Sequence, residues 1–305
     1  MKAIVFDEFG GPEVLHEAEV PVPEPGPQQA RIRVHVAGVN PMDVKVRAGQ
    51  MRPNLPASLP SIPGLEAAGV IDALGSDVVG FAVGEEVFGW TKGGAYAQYA
   101  IVTTFAAKPA ALSWEQAVSL PVAGETAERV LRQLGVAAGE TVLIHGASGA
   151  VGTVAVQLAV ARGARVIGTA GQANAKYLES LGAIPTTYGP GLVDRVRALA
   201  PQGVDAVFDV AGKGALADSV TLRGGTSRIV TIADYPGAQE YGVVFSSGGP
   251  DSPRSPEFLA SLARLAADGG LSTTVSASYP LEQAVQAHRA SEAGHAQGKL
   301  VLTVG

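Results

Sequence analysis

The chain has 305 residues, 47% of them hydrophobic and 16% charged, with a formal net charge of −6. That length accommodates two domains of ordinary size, and the composition excludes a disordered chain. An acidic balance with no block of Lys and Arg argues against nucleic acid as a partner, because phosphate binding concentrates those residues. The sequence contains no Cys, which removes disulfides, thiolate nucleophiles and Cys-ligated zinc together. The opening MKAIVFDEFG turns acidic at Asp7 and lacks the apolar core of a secretory signal. No run approaches the roughly 20 apolar residues that span a bilayer. With five scattered His and no HExxH motif, a cytoplasmic, metal-free protein is expected.

The first part of the chain, to about residue 117, reads as short strands and turns. Lys2–Phe6 is a strand, Gly10-Gly11-Pro12 a turn, and Val20–Pro27 a proline-rich connection unable to join a central strand. Ala30–Val36 alternates polar and apolar residues, so one face should be buried. Ala68–Leu74, Glu86–Gly89 and Tyr96–Val102 are further strands separated by glycines, a spacing that suggests a small β-barrel. The pattern changes at Ser113, whose capping box with Gln116 opens a helical stretch reaching Leu134.

Strands and helices then alternate: strand 141–145, helix from 150, strand 165–169, helix 172–181, strand 184–187 and helix 190–199. Val204–Val210, helix 213–221, Arg228–Ala233 and Tyr241–Phe245 follow. Alternation of this kind demands a parallel sheet covered by helices on both faces. After a break at Gly248-Gly249-Pro250 come helix 256–265, strand 273–277, helix 281–291 and a last strand 300–303.

The stretch ETVLIHGASGAVGTVAVQLAVA (140–161) carries the chemistry. A β-rich run ends at His145, a small-residue turn covers 146–152, and an apolar helix pattern follows through Val154, Val156, Leu158, Ala159 and Val160. Strand, glycine turn and helix form the first βα unit of a dinucleotide-binding sheet. Gly149 keeps a Cβ away from a pyrophosphate, Gly152 lets the helix press against the strand, and the helix N-terminus faces the phosphates. Ser148, Ala150 and Val151 complete that turn as candidate cofactor contacts. An NAD enzyme usually places Asp or Glu about 20 residues past the first glycine. Here the run is Gly168-Thr169-Ala170-Gly171-Gln172, with no carboxylate, which favours NADPH over NADH.

MKAIVFDEFGGPEVL, AGVNPMDVKVRAG (37–49), PGLEAAGV (63–70), GGAYAQYAIV (93–102), LPVAGETA (120–127), HGASGAVG (145–152), FDVAGKGAL (208–216) and GKLVLTVG together resemble one family. It is the zinc-independent quinone oxidoreductases, the ζ-crystallin-like branch of the medium-chain dehydrogenase/reductase superfamily. The resemblance implies an α/β fold in which a Rossmann doubly wound parallel sheet (118–250) accompanies a GroES-like β-barrel catalytic domain (1–117 and 251–305). Relative to the zinc alcohol dehydrogenases, it puts Asn40 at the Cys ligand and Leu65 at the His ligand, with Asp43 and Glu66 retained. The short Trp90–Gly94 link stands in place of the structural-zinc lobe.

The resemblance supports NADPH, although relatives often carry Ser and Arg where this chain has Gly171 and Ala173. The 2′-phosphate would then rest on Gln172, Asn174, Lys176 or Tyr188. The family pattern also implies Thr126 near the nicotinamide, Ala211, Gly212, Ile232 and Ala233 at strand ends, and Phe245 and Ser246 on the far side.

With no metal, thiol or Ser-His-Asp pattern, the cofactor must carry the reaction. Asn40 is the expected catalytic residue, its amide donating to a substrate carbonyl or a nicotinamide ribose; the alternative is a turn residue before Pro41. Asp43 and Arg47 are expected to form a structural pair or to bond backbone, Glu66 to bond nearby backbone or Arg, and His145 to be a packed strand-end residue. Trp90 and Tyr96 either line an acceptor pocket or pack in the core. The leading reading is an NADPH-dependent reductase of quinones, acting on a small conjugated carbonyl. Its alternatives are an enone or enoyl-thioester C=C reductase and a non-catalytic NADPH-binding protein. The resemblance implies a homodimer, with the unprotected edge strand Tyr241–Phe245 as its expected contact.

Overall fold

A computed structural model describes residues 1–51, 58–248 and 252–305. The chain divides into two units, Met1–Val122 with Arg254–Gly305, and Ala123–Pro253. It passes between them at 122/123 and 253/254, slightly later than the expected 117/118 and 250/251. Part of the expected break, Gly249-Pro250, lies outside the described residues.

The first unit begins with an antiparallel pair, β1 (Lys2–Val5) and β2 (His16–Glu19). β3 (Ala30–Val39) leads directly into α1 (Pro41–Arg47), and β4 (Glu66–Leu74), β5 (Glu86–Lys92) and β6 (Tyr99–Ala107) follow. β3, β4, β5 and β6 pair antiparallel in that order, and β6 returns to Ala30–Arg33 of β3, closing a barrel. Closure removes the open edges that invite stray pairing. Ile32, Val34, Ala67, Ile71, Val87, Ala100, Val102 and Phe105 fill its core. The short α2 (Trp114–Val118) follows, and the chain leaves this unit at the start of α3 (Pro121–Leu134).

The second unit continues with β7 (Thr141–His145), α4 (Ala150–Ala161), β8 (Arg165–Ala170), α5 (Ala175–Ser180), β9 (Ile184–Thr187) and α6 (Leu192–Leu199). β10 (Ala206–Asp209), α7 (Leu216–Arg223), β11 (Ile229–Thr231), α8 (Tyr235–Tyr241) and β12 (Val244–Phe245) complete it. Its six strands are parallel in the order β12-β11-β10-β7-β8-β9, so the strand order reverses between β7 and β10. Such a reversal opens a crevice at the carboxyl ends of the strands.

The chain returns to the first unit as α9 (Pro256–Ala267), β13 (Val275–Pro280), α10 (Ala284–Ala293) and β14 (Lys299–Thr303). β14 pairs antiparallel with Val36–Val39 of β3, and β13 lies parallel beyond it. α10 packs against α1 and β14.

Several expected elements are redrawn. α1 has no counterpart in the sequence reading; Pro41 at its first position has no N–H to lose there, and Asn40 and Asp43 form its capping box. The helix expected from Ser113 to Leu134 is two helices, because Pro121 has no N–H with which to continue α2. Helix 172–181 is a 3-10 turn, Gln172–Asn174, followed by α5. Helices 190–199 and 213–221 begin later, at Leu192 and Leu216. Strand 96–102 becomes Tyr99–Ala107 and strand 273–277 becomes Val275–Pro280. The strand expected at Tyr241–Phe245 retains only Val244–Phe245, still at the sheet edge. Tyr241 instead ends α8, whose cap is Asp234 accepting from the Gly237 amide at 2.8 Å and whose stop is Gly242 at φ +65°. Among the described residues, no helix is long and apolar enough to cross a membrane.

The base of the parallel sheet is clamped by Arg228. Its guanidinium donates to both Glu140 carboxylate oxygens at 2.7 Å and to the carbonyls of Leu134 and Gly135. Those bonds hold the Glu140 carboxyl down at about 2, against an ordinary 4.5. A carboxyl lowered in the folded state adds stability above its unfolded value, and that contribution disappears as pH falls from about 4.5 towards about 2. Arg228→Ala should therefore cost about 1–3 kcal/mol at pH 7 and flatten the loss of stability across that acid window. Urea melts at pH 7, 4.5 and 3 check both parts; an unchanged acid slope in the variant would refute the assignment.

Candidate functional site

Two clusters of the expected residues take shape, one in each unit. In the second unit, the residues after the carboxyl ends of β7, β8, β10, β11 and β12 are the candidate cofactor contacts. Gly146, at φ +73°, turns the chain out of β7, and Gly149 caps α4 in an extended conformation. The two glycines of the turn do different jobs. A Cβ on Gly152 would lie 2.2 Å from the Gly146 carbonyl oxygen and 2.7 Å from Ala147 Cα, so this glycine seats α4 on the turn. A Cβ on Gly149 would meet only the Gly146 oxygen at 3.6 Å, so that backbone is open. The first-turn amides of Ala150, Val151 and Gly152 have no intrahelical acceptor, and no acidic side chain sits in that turn. An open backbone at the positive end of a twelve-residue helix fits a diphosphate.

Ser148 accepts from Asn174 Nδ2 at 3.2 Å, which ties the glycine turn to the segment after β8. Gly171 faces the half-exposed Tyr188, with the phenol oxygen 4.0 Å from where a Cβ would stand. Gln172 and Lys176 are exposed. After β10, Asp209 Oδ1 accepts from the amides of Ala211 and Gly212 at 3.1 and 3.0 Å, while Thr231 donates to its Oδ2 at 2.7 Å. The Ile232 amide donates to the Asp209 carbonyl, and Ala233 N donates to Thr231 Oγ1. A Cβ on Gly212 would lie 2.7 Å from the Ala233 Cβ, so the turns after β10 and β11 touch. Asp209 and Thr231, unremarked in the sequence, organise this rim.

Thr126 and Ser246 are joined through residues the sequence reading also passed over. Thr126 donates to Glu125 Oε2 at 3.2 Å, and Arg129 donates to Glu125 Oε1 at 2.7 Å and to the Ser246 hydroxyl. The i,i+4 spacing of Glu125 and Arg129 on α3 was the available signal. Phe245 meets the Tyr235 ring edge-on, centroids 5.2 Å apart. His145 is buried between Thr169 and Ser219 hydroxyls at 3.3 and 3.0 Å, and burial pushes its pKa down. It is a neutral, packed strand-end residue.

In the first unit, Asn40 stands at the junction of β3 and α1, 5% exposed. Its backbone amide donates to Asp43 Oδ2 at 2.8 Å. Its Nδ2 donates to Glu66 Oε1 at 2.8 Å, and its Oδ1 accepts from Lys299 Nζ at 2.6 Å. Lys299 also donates to Glu66 Oε1, and Glu66 Oε2 accepts from the Val122 amide at 2.8 Å. Glu66 therefore bonds backbone as expected, but its cationic partner is Lys299 rather than Arg.

Of the two options expected for Asp43 and Arg47, the second holds: each bonds backbone and no ion pair forms between them. Asp43 turns back to cap its own helix and accepts from Tyr96 Oη at 3.4 Å. Arg47 reaches Glu292 at 2.5 Å, the Gly10 carbonyl at 3.1 Å and His288 Nδ1 at 3.3 Å. Because Arg47 can only donate, His288 carries its proton on Nε2 and donates to Tyr96 Oη at 3.2 Å. Burial, and then the Arg47 charge, press His288 down to about 3; burial raises Asp43 to about 7. Tyr96 is thus a buried link in a polar chain rather than a pocket wall. Trp90, 4% exposed, lies opposite Glu66 in the β4–β5 register with the Arg254 guanidinium 5.5 Å from its ring centre.

The alcohol dehydrogenase GroES-like domain model matches residues 26–110, and the zinc-binding dehydrogenase model matches residues 187–302. Quinone oxidoreductase of Sus scrofa is 32% identical over 99% of this chain and 97% of its own. The 2-methylene-furan-3-one reductase of Solanum lycopersicum is 31% identical over 99% of this chain and 79% of its own. Among solved structures, Escherichia coli quinone oxidoreductase complexed with NADPH superposes with a TM-score of 0.88 at 29% identity, covering 99% of this chain and 100% of that one. A parallel sheet with an open glycine turn, a closed barrel and full-length similarity at this level place the chain in the quinone oxidoreductase branch of the medium-chain dehydrogenase/reductase superfamily.

Proposed function

We propose that this protein is an NADPH-dependent oxidoreductase that delivers hydride to a conjugated carbonyl acceptor, a quinone first, without a metal in the reaction. The observation that carries the reading is the open backbone at Gly149 beside the tightly seated Gly152, at the N-terminus of α4. When bound, the dihydronicotinamide supplies the hydride. The chain's own work is to hold the diphosphate on the amides of Ala150, Val151 and Gly152 and to meet charge as it develops on the acceptor oxygen. Asn40 is the proposed donor. An amide nitrogen carries two hydrogens; Glu66 takes one, and the other is assigned to the acceptor oxygen. The buried Lys299 ammonium already neutralises Glu66, so the donor set around Asn40 suits a neutral carbonyl better than a metal cation.

The missing carboxylate after β8 supports NADPH over NADH. Gly171, Gln172, Asn174, Lys176 and Tyr188 are the proposed surroundings of the 2′-phosphate. Reduction of an enone C=C bond is a second reading, favoured by similarity to the Solanum lycopersicum reductase. A cytoplasmic homodimer that adds strands across the β12 edge is part of the proposal; Val244 there is 44% exposed.

Gly149→Ala should fold with a loss below about 1 kcal/mol yet bind NADPH about tenfold more weakly. Gly152→Ala should lose about 1–3 kcal/mol or more, because its Cβ meets backbone rather than a movable side chain. Thermal melts and NADPH fluorescence titration separate the two, and the same titration should show NADH binding at least about tenfold more weakly than NADPH. Acceptor-dependent NADPH oxidation across a panel of quinones and enones identifies the acceptor class, and Asn40→Ala should lower kcat by about 10²-fold with cofactor affinity intact. Tight NADPH binding with no turnover on any acceptor would leave a non-catalytic binding protein. Light scattering should return twice the 30.9 kDa chain mass; a monomer rules out the edge contact.

A further inference from the structure

We infer that Lys299 is a positioning residue: its buried ammonium fixes which way the Asn40 carboxamide faces, and so aims the Asn40 N–H at the acceptor. This rests on the proposed contact between Asn40 and the acceptor oxygen. The placement begins with strand register. β14 runs antiparallel to β3 with Leu300 opposite Val39, and one further step in that register sets Lys299 opposite Asn40. On the other side of β3, Ala37 lies opposite Ala67, so Gly38 faces Glu66. A Cβ on Gly38 would stand 2.5 Å from Glu66 Oε1 and 2.7 Å from Glu66 Cγ; only the bare glycine lets that carboxylate pass beneath β3 to reach Asn40.

The three side chains then admit one arrangement. Lys299 is 2% exposed, Glu66 fully buried and Asn40 5% exposed, so solvent cannot compensate a mismatched contact. An ammonium only donates and an ionised carboxylate only accepts. The amide oxygen must therefore face Lys299, at 2.6 Å, and the amide nitrogen must face Glu66, at 2.8 Å. Turning the carboxamide over would set NH2 against the ammonium and oxygen against the carboxylate, two repulsive contacts in place of two bonds. The backbone cannot absorb such a turn, because the Asn40 amide is held by Asp43 at 2.8 Å. Glu66 is itself anchored through its second oxygen by the Val122 amide. A donor aimed before the acceptor arrives costs no reorganisation when charge develops. A charge pair kept only for stability has no need of Asn40, and buried pairs are poor stabilisers in any case.

The test compares two charge-neutral double variants of the full chain. The first combines Lys299→Met with Glu66→Gln, the second Lys299→Gln with Glu66→Gln. Both remove the buried charges, but only the second retains a donor at position 299 for Asn40 Oδ1. At matched melting temperature and NADPH affinity, the second should turn over at least about tenfold faster than the first in kcat, with little difference in KM. Equal kcat values overturn the positioning role. In an Asn40→Ala background the advantage of the second double variant should vanish; persistence there also overturns the role, since the effect would not pass through Asn40. If Asn40→Ala alone leaves kcat unchanged, the reading of Asn40 fails instead, and the two failures are distinguishable. A measurement on the unaltered protein guards against variants that do not fold. The Asn40 Nδ2 resonances, assigned by their loss in Asn40→Ala, should show a wider proton-to-proton separation than exposed Asn residues do, because one proton is bonded to carboxylate. A separation no wider than that of an exposed Asn would overturn the inference.

Discussion

Burying an ammonium and a carboxylate together is expensive, and much of the first unit answers to that cost. Lys299 and Glu66 are both withdrawn from water, and their partners are each other, Asn40 and the Val122 amide at the start of α3. A buried charge left alone costs several kcal/mol, so β14 cannot slip along β3 without stranding one of the two. The register that satisfies Lys299 is the one that brings Leu300, Leu302 and Val39 into the shared core. Charge burial and apolar packing thus select the same alignment. The residue caught between them, Asn40, is simultaneously the end of β3, the cap of α1 and the polar point of the cluster.

A second polar chain runs from the same place. Asp43, Tyr96, His288, Arg47 and Glu292 are linked donor to acceptor, starting from the Arg47 guanidinium. Because Arg cannot give up its proton, the direction of every bond behind it is determined. The chain joins α1 to α10, elements far apart in sequence, and it explains why Arg47 is 1% exposed without being paired to Asp43. The spacing of Asp43 and Arg47 suits a helical ion pair, but capping claims the carboxylate first: a free amide at a helix start is a closer and better-aligned donor.

The second unit is governed by close approach rather than by charge. Gly152 lies against the Gly146 carbonyl at a separation no side chain tolerates, which draws α4 down onto the turn and leaves its amides facing outward. The neighbouring rims are stitched by Asp209 and Thr231 and by Glu125 with Arg129, which hold Thr126 on α3 and the loops that carry Ala211, Gly212 and Ser246. The expectation for the cofactor residues rests on local marks: strand ends, glycines and small residues. Their supports carry no such mark: Asp209 and Thr231 act on amides two or three residues on, and Arg129 reaches Ser246, 117 residues away.

By itself the sequence determined the strand–turn–helix unit at 141–161, the alternation that builds a parallel sheet, the closely spaced strands of the barrel and the loss of Cys. Those features depend on steric preference and periodicity over a few consecutive residues, which a linear reading contains. It missed α8 although Asp234 and Gly242 flank it, because the valine and phenylalanine that follow drew a strand back over the helix end. Only the tertiary structure decided that Lys299 meets Asn40, 259 residues away, and that Gly38 makes room for Glu66. Which side chain faces a buried charge is decided by the register between strands remote in sequence, and no stretch of neighbouring residues encodes that alignment alone.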